Sequence, residues 1–191
     1  MNIYVVLAHP HKGSFNHAIA DVVCCSLAEK GHDVVFHDLY LEKFDPILPY
    51  EEMGPNPQIH PVIQQHMNEV LKADGLIVIH PNWWGQPPAM LKGWVDRVLA
   101  YGVVYRFGPT GQPMGLLQAH SALVLNTSNT PEHVEVGVYG DPLEKLWGLS
   151  TLKFCGVENY QRVMFNEVNK STDEQRKQWL EEVRKQVEAM F

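Results

Sequence analysis

A chain of 191 residues, 45% hydrophobic and 19% charged, has the composition of a globular protein with a large core. Its formal net charge of −7 and the lack of any lysine or arginine run argue against nucleic acid as a partner. Its apolar runs are too short to insert in a membrane, and no signal peptide is evident. Its three cysteines make no disulfide framework, so we expect a cytoplasmic protein. We expect residues 1–191 to form one domain.

Apolar and polar residues follow a pattern that predicts alternating strands and helices. The predicted strands are the short segments 3–8, 34–36, 75–80 and 121–126, which are rich in apolar residues, and a last strand at about 158–164. The predicted helices cover 15–30, 62–71, 89–100, about 142–152 and 172–189, while 40–59 and the residues after 126 read as irregular. This order predicts an α/β fold, a doubly wound, five-stranded parallel sheet with helices on both faces.

Ligands of such sheets bind beyond the carboxyl ends of the strands, where the strand order reverses. That rule selects three loops, which we call the first, second and third rim loops: residues 9–16, 81–88 and 126–140. All three are expected on one edge of the sheet. Their residue types therefore indicate the ligand.

The first rim loop, "HPHKGSFN", joins a strand to a helix. A helix N-terminus attracts anions, and His9 and Ser14 add donors, so the loop suits a phosphate group. The alternative is an ordinary helix cap with exposed histidines. A metal site of His9, His11 and His17 is disfavoured, because no cysteine or carboxylate stands at ligand spacing.

The second rim loop, "PNWWGQPP", presents Trp83 and Trp84 between rigid prolines. A planar aromatic ligand could lie against it, with backbone amides at its polar edge. A subunit interface or plain core packing explains the same tryptophans equally well.

The third rim loop, "NTSNTPEHVEVGVYGD", begins with short polar side chains and later holds His133 and Tyr139, which could exchange protons. A solvated loop is the alternative for any single residue here. Only the combination is specific: a phosphate loop, an aromatic loop and a polar loop on one edge predict a flavin nucleotide.

The sequence also resembles the NAD(P)H:quinone oxidoreductase family. The matching pieces are "LAHPHKGSFN", "DLYLEKFDPILPYEEM", "PNWWGQPPAMLKGWVDRVL" and "FCGV", and the most specific pattern joins Trp84, Pro88, Leu91, Lys92 and Trp94. The resemblance implies a flavodoxin-like fold, FAD or FMN as cofactor, and a homodimer with the site at its interface. It also implies two-electron, ping-pong hydride transfer from NADH or NADPH through the flavin to a quinone or similar acceptor.

The resemblance assigns roles residue by residue. The phosphate loop is matched by His9, Ser14, Phe15 and Asn16, and the ring-holding segment by Pro81, Asn82, Trp83, Trp84 and Gly85. The segment at the pyrimidine edge is matched by Asn126, Thr127, Ser128 and Asn129. Tyr105 falls where a partner subunit's aromatic residue covers the substrate pocket, and His133 is a further candidate for that pocket. No metal ligand is implied.

Two departures from the family pattern stand out. The third rim loop reads Asn-Thr-Ser-Asn where the family often has Thr-Thr-Gly-Gly, and Tyr139 stands where mammalian-type members have a histidine. A Tyr–His relay is therefore not predicted, and Tyr139 is the candidate catalytic residue, first as part of the pocket. The first rim loop and "FDPIL" resemble the FAD-binding branch, which favours FAD slightly over FMN.

Two other functions share these features. One is a flavodoxin-type electron carrier, which has no NAD(P)H pocket and would show no NADPH oxidation without a separate reductase. The other is an accessory or regulatory flavoprotein subunit of a potassium efflux system, which would co-purify with a membrane partner. The first rim loop and the family resemblance favour the enzyme.

Overall fold

A five-stranded parallel sheet forms the centre of the computed structural model, which describes residues 1–191. Its strands are β1 (Asn2–Leu7), β2 (Asp33–Asp38), β3 (Gly75–Pro81), β6 (Ser121–Thr127) and β7 (Asn159–Phe165), in the order β2-β1-β3-β6-β7. A separate two-stranded hairpin pairs β4 (Tyr105–Phe107) with β5 (Pro113–Gly115). The predicted doubly wound α/β fold is confirmed.

Helices cover both faces of this sheet. They are α1 (Phe15–Glu29), α2 (Pro61–Lys72), α3 (Ala89–Val98), α4 (Glu132–Gly137), α5 (Pro142–Glu144), a π-helix (Lys145–Leu152) and α6 (Asp173–Met190), with short 3₁₀ turns at Tyr50–Glu52 and Val168–Lys170. Side-chain caps begin the long helices: Ser14 accepts from the backbone of His17, and Thr172 from that of Gln175.

The side chains of each central strand alternate between two apolar clusters, as a doubly covered sheet requires. On one face, Ile3, Val5 and Leu7 of β1 pack under α1 and α6. On the other face, Tyr4 and Val6 pack with residues of α2, α3 and the π-helix. Apolar side chains therefore cover the centre of the sheet on both faces.

The strand order reverses at β1, since the chain turns to β2 on one side and crosses to β3 on the other. Leu7 pairs with Ile79, and Pro81 pairs with Thr127. The carboxyl ends of β1, β3 and β6 are therefore adjacent, and the three rim loops leave the sheet side by side.

The structure corrects several predicted elements. The hairpin β4–β5 was not predicted, because strands of three residues are too short to show alternation; its Tyr105 ring packs 4.9 Å from the ring of Phe154. The third rim loop contains α4, and the helix predicted over 142–152 is one α turn continued by a π-helix. The hydroxyl of Ser150 donates to the carbonyls of Lys145 and Leu146, within this widened turn.

None of these helices combines the length and apolar character that crossing a membrane requires.

Candidate active site

The first rim loop is shaped by short-range hydrogen bonds around its histidines. Nδ1 of His9 lies 3.1 Å from the backbone nitrogen of His11 and 3.2 Å from its carbonyl oxygen. Burial lowers the pKa of His9, although the His11 carbonyl opposes that shift. His9 is therefore suited to act as a neutral hydrogen-bonding group rather than as a fixed cation.

Ser14 is part of a chain of three polar side chains at the start of α1. Its Oγ lies 2.9 Å from Nδ1 of His17, and Nε2 of His17 lies 3.1 Å from Oδ2 of Asp38. The other Asp38 oxygen accepts from the backbone nitrogens of Tyr40 and Leu41, which holds the carboxylate still. The direction of the Ser14 hydroxyl thus depends on a histidine and an aspartate that sequence reasoning did not assign to the site.

Asn16 connects the first rim loop to the third. Its Nδ2 donates to Oγ1 of Thr127 at 2.9 Å, across 111 residues of sequence. Its Oδ1 is buried and has no partner in the protein. Buried polar atoms are almost always paired, so this oxygen indicates a missing ligand or water.

The second rim loop makes a tight turn that exposes Trp84. Trp83 and Gln86 exchange backbone hydrogen bonds of 2.9 and 3.1 Å, and the two residues between them, Trp84 and Gly85, have φ values of 58° and 72°. A left-handed conformation costs a residue other than glycine about 1–2 kcal/mol. The turn holds the Trp84 ring fully exposed in spite of this cost. Strain that keeps an aromatic ring in solvent is typical of binding sites.

Gly85 is required in this turn for a second reason. A Cβ at this position would lie 2.8 Å from Cγ of Pro142, the first residue of α5. The turn and α5 therefore approach each other closely and form two walls of one cleft.

The second and third rim loops are joined by Asn82. Its backbone nitrogen donates to the carbonyl of Thr127 at 2.6 Å, and its Nδ2 donates to Oε1 of Glu135 at 2.7 Å. Ser128 Oγ donates to the same carboxylate oxygen at 3.0 Å. Oδ1 of Asn82 is buried without a partner, as is Oδ1 of Asn16.

Two adjoining clefts share Asn82. The smaller, about 170 Å³, is lined by His9, Ser14, Phe15, Asn16, Pro81, Asn82, Trp83, Thr127, Ser128, Asn129 and Val168. The larger, about 470 Å³, is lined by Asn82, Trp84, Gly85, Thr130, Glu135, Tyr139 and Pro142, and we call it the ring cleft. Twelve of the thirteen residues predicted to bind the cofactor line one or both clefts.

The remaining one, Asn126, lines neither cleft. It lies within β6, is completely buried, and its Oδ1 accepts from Nη1 of Arg162 at 3.3 Å. Because helices cover this part of the sheet, its side chain does not reach the cleft surface. Asn126 supports the floor of the site from below.

The two predicted substrate-pocket residues lie apart from the ring cleft. His133 lines a different hollow with Met164 and Trp179. It is two residues from Glu135 on α4, and side chains two positions apart on a helix point in nearly opposite directions. Tyr105 lies on the hairpin against Tyr101 and Phe154. Of the three residues predicted to be catalytic or to bind substrate, only Tyr139 lines the ring cleft.

Arg162, which sequence reasoning missed, fixes the far wall of the ring cleft. It pairs with Asp141 and, at 2.9 Å, with Oε2 of Glu144. Asp141 has a φ of 49° and caps α5. No local motif could have identified Arg162, because it lies in β7 and its partners lie about 20 residues away.

For His17, the "S-x-x-H" spacing at a predicted helix start was the available signal.

A cluster of two buried histidines and two partly exposed glutamates lies on the α2 side of the sheet, away from the clefts. His37 places Nδ1 3.0 Å from Glu42 and Nε2 2.7 Å from Glu69, and its ring lies 4.0 Å from that of His66. Burial alone would lower the pKa of His37, but the two carboxylates outweigh it and raise that pKa. Ligand atoms of His37, Glu42 and His66 lie within 4.8 Å of one another, but His37 already uses both ring nitrogens on carboxylates.

The site residues fit a flavin. The smaller cleft offers a helix N-terminus and hydroxyls for phosphate, and the ring cleft offers an exposed tryptophan and amides. The two unpaired oxygens, on Asn16 and Asn82, supply acceptors for ligand N–H or O–H groups. The ring cleft also falls within the size range of about 300–1,000 Å³ that small-molecule sites occupy.

Comparison with known proteins agrees with this fold. A family model described as the flavodoxin-like fold matches residues 1–189. An uncharacterized NAD(P)H oxidoreductase of Haemophilus influenzae is 35% identical over 95% of this chain and 91% of its own length.

Solved structures give the same picture. Smu.1420 of Streptococcus mutans is 31% identical, with a TM-score of 0.87 over 100% of both chains. An NAD(P)H:quinone oxidoreductase of Methanothermobacter marburgensis is 26% identical, with a TM-score of 0.85 over 98% of this chain and 95% of its own.

Proposed function

This chain belongs to the family of proteins with the flavodoxin-like fold, and on that premise we propose that it is a flavin-dependent NAD(P)H:quinone oxidoreductase. The observation that supports this most is the pair of clefts that share Asn82, one lined by the phosphate-type loop and the other by the aromatic loop, with buried, unpaired oxygens on Asn16 and Asn82. The names of related chains agree with this proposal: the Haemophilus influenzae protein is called an NAD(P)H oxidoreductase, and the Methanothermobacter marburgensis protein an NAD(P)H:quinone oxidoreductase.

The smaller cleft is the proposed site of the flavin's phosphate end, held by Ser14, Asn16 and the N-terminus of α1. The ring cleft is the proposed site of the isoalloxazine ring, beside Trp84, Gly85 and the Asn82 amide. When bound, the flavin supplies the redox chemistry, accepting a hydride from NADH or NADPH and passing it to a quinone or similar acceptor. We favour FAD over FMN because of the first rim loop and the "FDPIL" segment.

The protein's part in the reaction is to position the flavin and its two substrates and to exclude water from them. Trp84 and Tyr139 stand at the mouth of the ring cleft, where both are exposed in the single chain. A nicotinamide or a quinone is planar and apolar on both faces, and such faces suit these two aromatic rings. One binding place used in turn by donor and acceptor accounts for ping-pong kinetics.

We further propose a homodimer whose partner subunit closes the ring cleft. Exposed aromatic side chains on this chain include Trp83, Trp84, Tyr101, Phe107 and Tyr139. Exposed aromatic side chains are costly in solvent and are typical of an interface. Tyr105, whose ring lies 5.8 Å from that of Tyr101 and 6.0 Å from that of Phe107, would in such a dimer cover the partner's site, as the family resemblance implies. Three free thiols, at Cys24, Cys25 and Cys155, support the cytoplasm as the compartment.

The proposal is tested by purifying the protein, releasing any bound flavin with heat, and measuring the mass of the released compound. We expect one flavin per chain and oxidation of NADPH or NADH with menadione as acceptor. A protein that stays colourless after incubation with both FAD and FMN contradicts the proposal. A yellow protein without turnover would be an electron carrier instead.

A further inference from the structure

A carboxylate without a cationic partner lies in the wall of the ring cleft. Glu135, on α4, is 3% exposed, and it makes no salt bridge. Arg162, on the same side of the sheet, is paired with Asp141 and Glu144 instead. Acidic side chains are rarely buried in this way without a reason, because burial removes the water that stabilises their charge.

The two oxygens of Glu135 have different surroundings. Oε1 accepts both hydrogen bonds, from Nδ2 of Asn82 at 2.7 Å and from Oγ of Ser128 at 3.0 Å. Oε2 receives no hydrogen bond from any protein donor, and the residue lines the ring cleft. One oxygen therefore links Asn82 to Ser128, while the other has no protein donor. The negative charge of the carboxylate is left beside the ligand space.

The backbone of α4 fixes this carboxylate in place. The backbone nitrogen of Glu135 donates to the carbonyl of Pro131 at 3.1 Å, and its carbonyl accepts from the nitrogen of Asp141 at 2.9 Å. Through Asn82 and Ser128, Glu135 ties the end of β3 to the end of β6. The unpaired Oδ1 of Asn82 is directed by the same hydrogen bond, because Nδ2 of that amide is anchored to Glu135.

We propose that Glu135 is a positioning residue that also sets the reduction potential of the flavin. The inference rests on the proposed function. Taking up a hydride adds two electrons and one proton to a neutral flavin ring, so the ring gains one negative charge. A fixed, poorly solvated negative charge in the cleft wall opposes that gain and lowers the reduction potential. The flavin is thereby made a stronger reductant toward its acceptor.

Two substitutions separate the charge from the hydrogen bonds. Glu135→Gln keeps an oxygen that accepts from Asn82 and Ser128 but removes the charge. Glu135→Ala removes both. Glu132→Gln is the matched control, because Glu132 is exposed on the same helix and takes no part in either cleft. Circular dichroism of each variant checks that it is folded.

The measurements are the midpoint potential of the bound flavin, by dye-linked titration, and the affinity of the apoprotein for flavin, by fluorescence. We expect Glu135→Gln to bind flavin within threefold of wild type but to shift the equilibrium of reduction at least tenfold toward the reduced form, a rise of about 30 mV for a two-electron couple. We expect Glu135→Ala to lose at least tenfold in flavin affinity, and Glu132→Gln to match wild type in both measurements.

Wild-type potential in Glu135→Gln would overturn the role of the charge, and wild-type affinity in Glu135→Ala would overturn the positioning role. Failure of the proposed function looks different, because wild type itself would then bind no flavin; that result overturns both proposals.

Discussion

The indole N–H of Trp147 donates to Nε2 of His80 at 2.9 Å, and both side chains are completely buried. Nδ1 of His80 lies 2.8 Å from the carbonyl oxygen of Pro81, to which it donates. Both ring nitrogens are satisfied only in the neutral imidazole, since a protonated Nε2 could not accept from Trp147. This pair fixes the π-helix to the end of β3, directly before the second rim loop.

Acid is expected to destabilise the protein through His80. Burial lowers the pKa of His80 from 6.5 to about 4. Between these two values the unfolded chain binds a proton at residue 80 that the folded chain does not, so the free energy of unfolding falls as the pH falls, by about 3 kcal/mol at pH 4. Urea denaturation between pH 7 and pH 4.5 measures this dependence.

His80→Gln is the comparison for that measurement, because glutamine can accept from Trp147 but does not titrate. His66, whose pKa burial also lowers to about 4, contributes in the same direction in both proteins. The difference between wild type and His80→Gln therefore isolates His80. If the free energy of unfolding changed equally with pH in the two proteins, His80 would be protonated as easily in the folded chain as in the unfolded one.

Trp147→Phe is expected to lower the free energy of unfolding at pH 7 by about 1–3 kcal/mol, because it leaves Nε2 of His80 buried without a donor. Trp179→Phe is the control: its ring packs between Phe15 and Phe165, and its indole donates no hydrogen bond. Chemical denaturation compares the two. If Trp179→Phe lowered the free energy of unfolding as much as Trp147→Phe, the effect would be due to packing rather than to the hydrogen bond.

Trp84→Ala is expected to weaken flavin binding about tenfold, because an aromatic surface is removed from the ring cleft. Trp84→Gly should bind flavin equally poorly but be more stable than Trp84→Ala by about 1 kcal/mol, since glycine adopts a φ of 58° without strain. Fluorescence titration and thermal unfolding measure the two effects. Wild-type affinity in both variants would mean that the ring has no contact with flavin.

Gly85→Ala is expected to be more damaging than Gly111→Ala. Both glycines have left-handed backbones, with φ values of 72° and 83°, so each substitution costs about 1–2 kcal/mol in strain. Only at Gly85 does a Cβ also meet another residue, Pro142 at 2.8 Å. Gly85→Ala should therefore lose more stability and reduce flavin affinity, while Gly111→Ala leaves flavin affinity unchanged. Equal effects would show that the approach to Pro142 is unimportant.

The homodimer is tested by light scattering at micromolar concentration, where we expect twice the mass of the chain. Tyr101→Lys should weaken the dimer, because Tyr101 is 64% exposed beside Tyr105 and Phe107 and a charge there is costly to bury. Val62→Lys, at an exposed position of α2, is the control. A wild-type protein that is monomeric contradicts the proposal.

Much of this molecule follows from its sequence alone. Continuous apolar runs predicted β1, β3 and β6, the central strands of the sheet, because a strand buried on both faces needs apolar side chains at nearly every position. The three rim loops followed from the strand order, and they do line two joined clefts. The hairpin β4–β5 and α4 escaped because short elements have too few residues to show a period.

The contacts within the site were decided by the tertiary structure. Asn82 meets Glu135 across 53 residues, and His17 meets Asp38 across 21. Sequence patterns report which residues prefer burial or a turn, and they are local. Which polar side chains meet at the edge of a sheet depends on how α1, α4 and the strands pack together, so only the folded chain revealed that Glu135 joins two rim loops and that Asn126 lies beneath them.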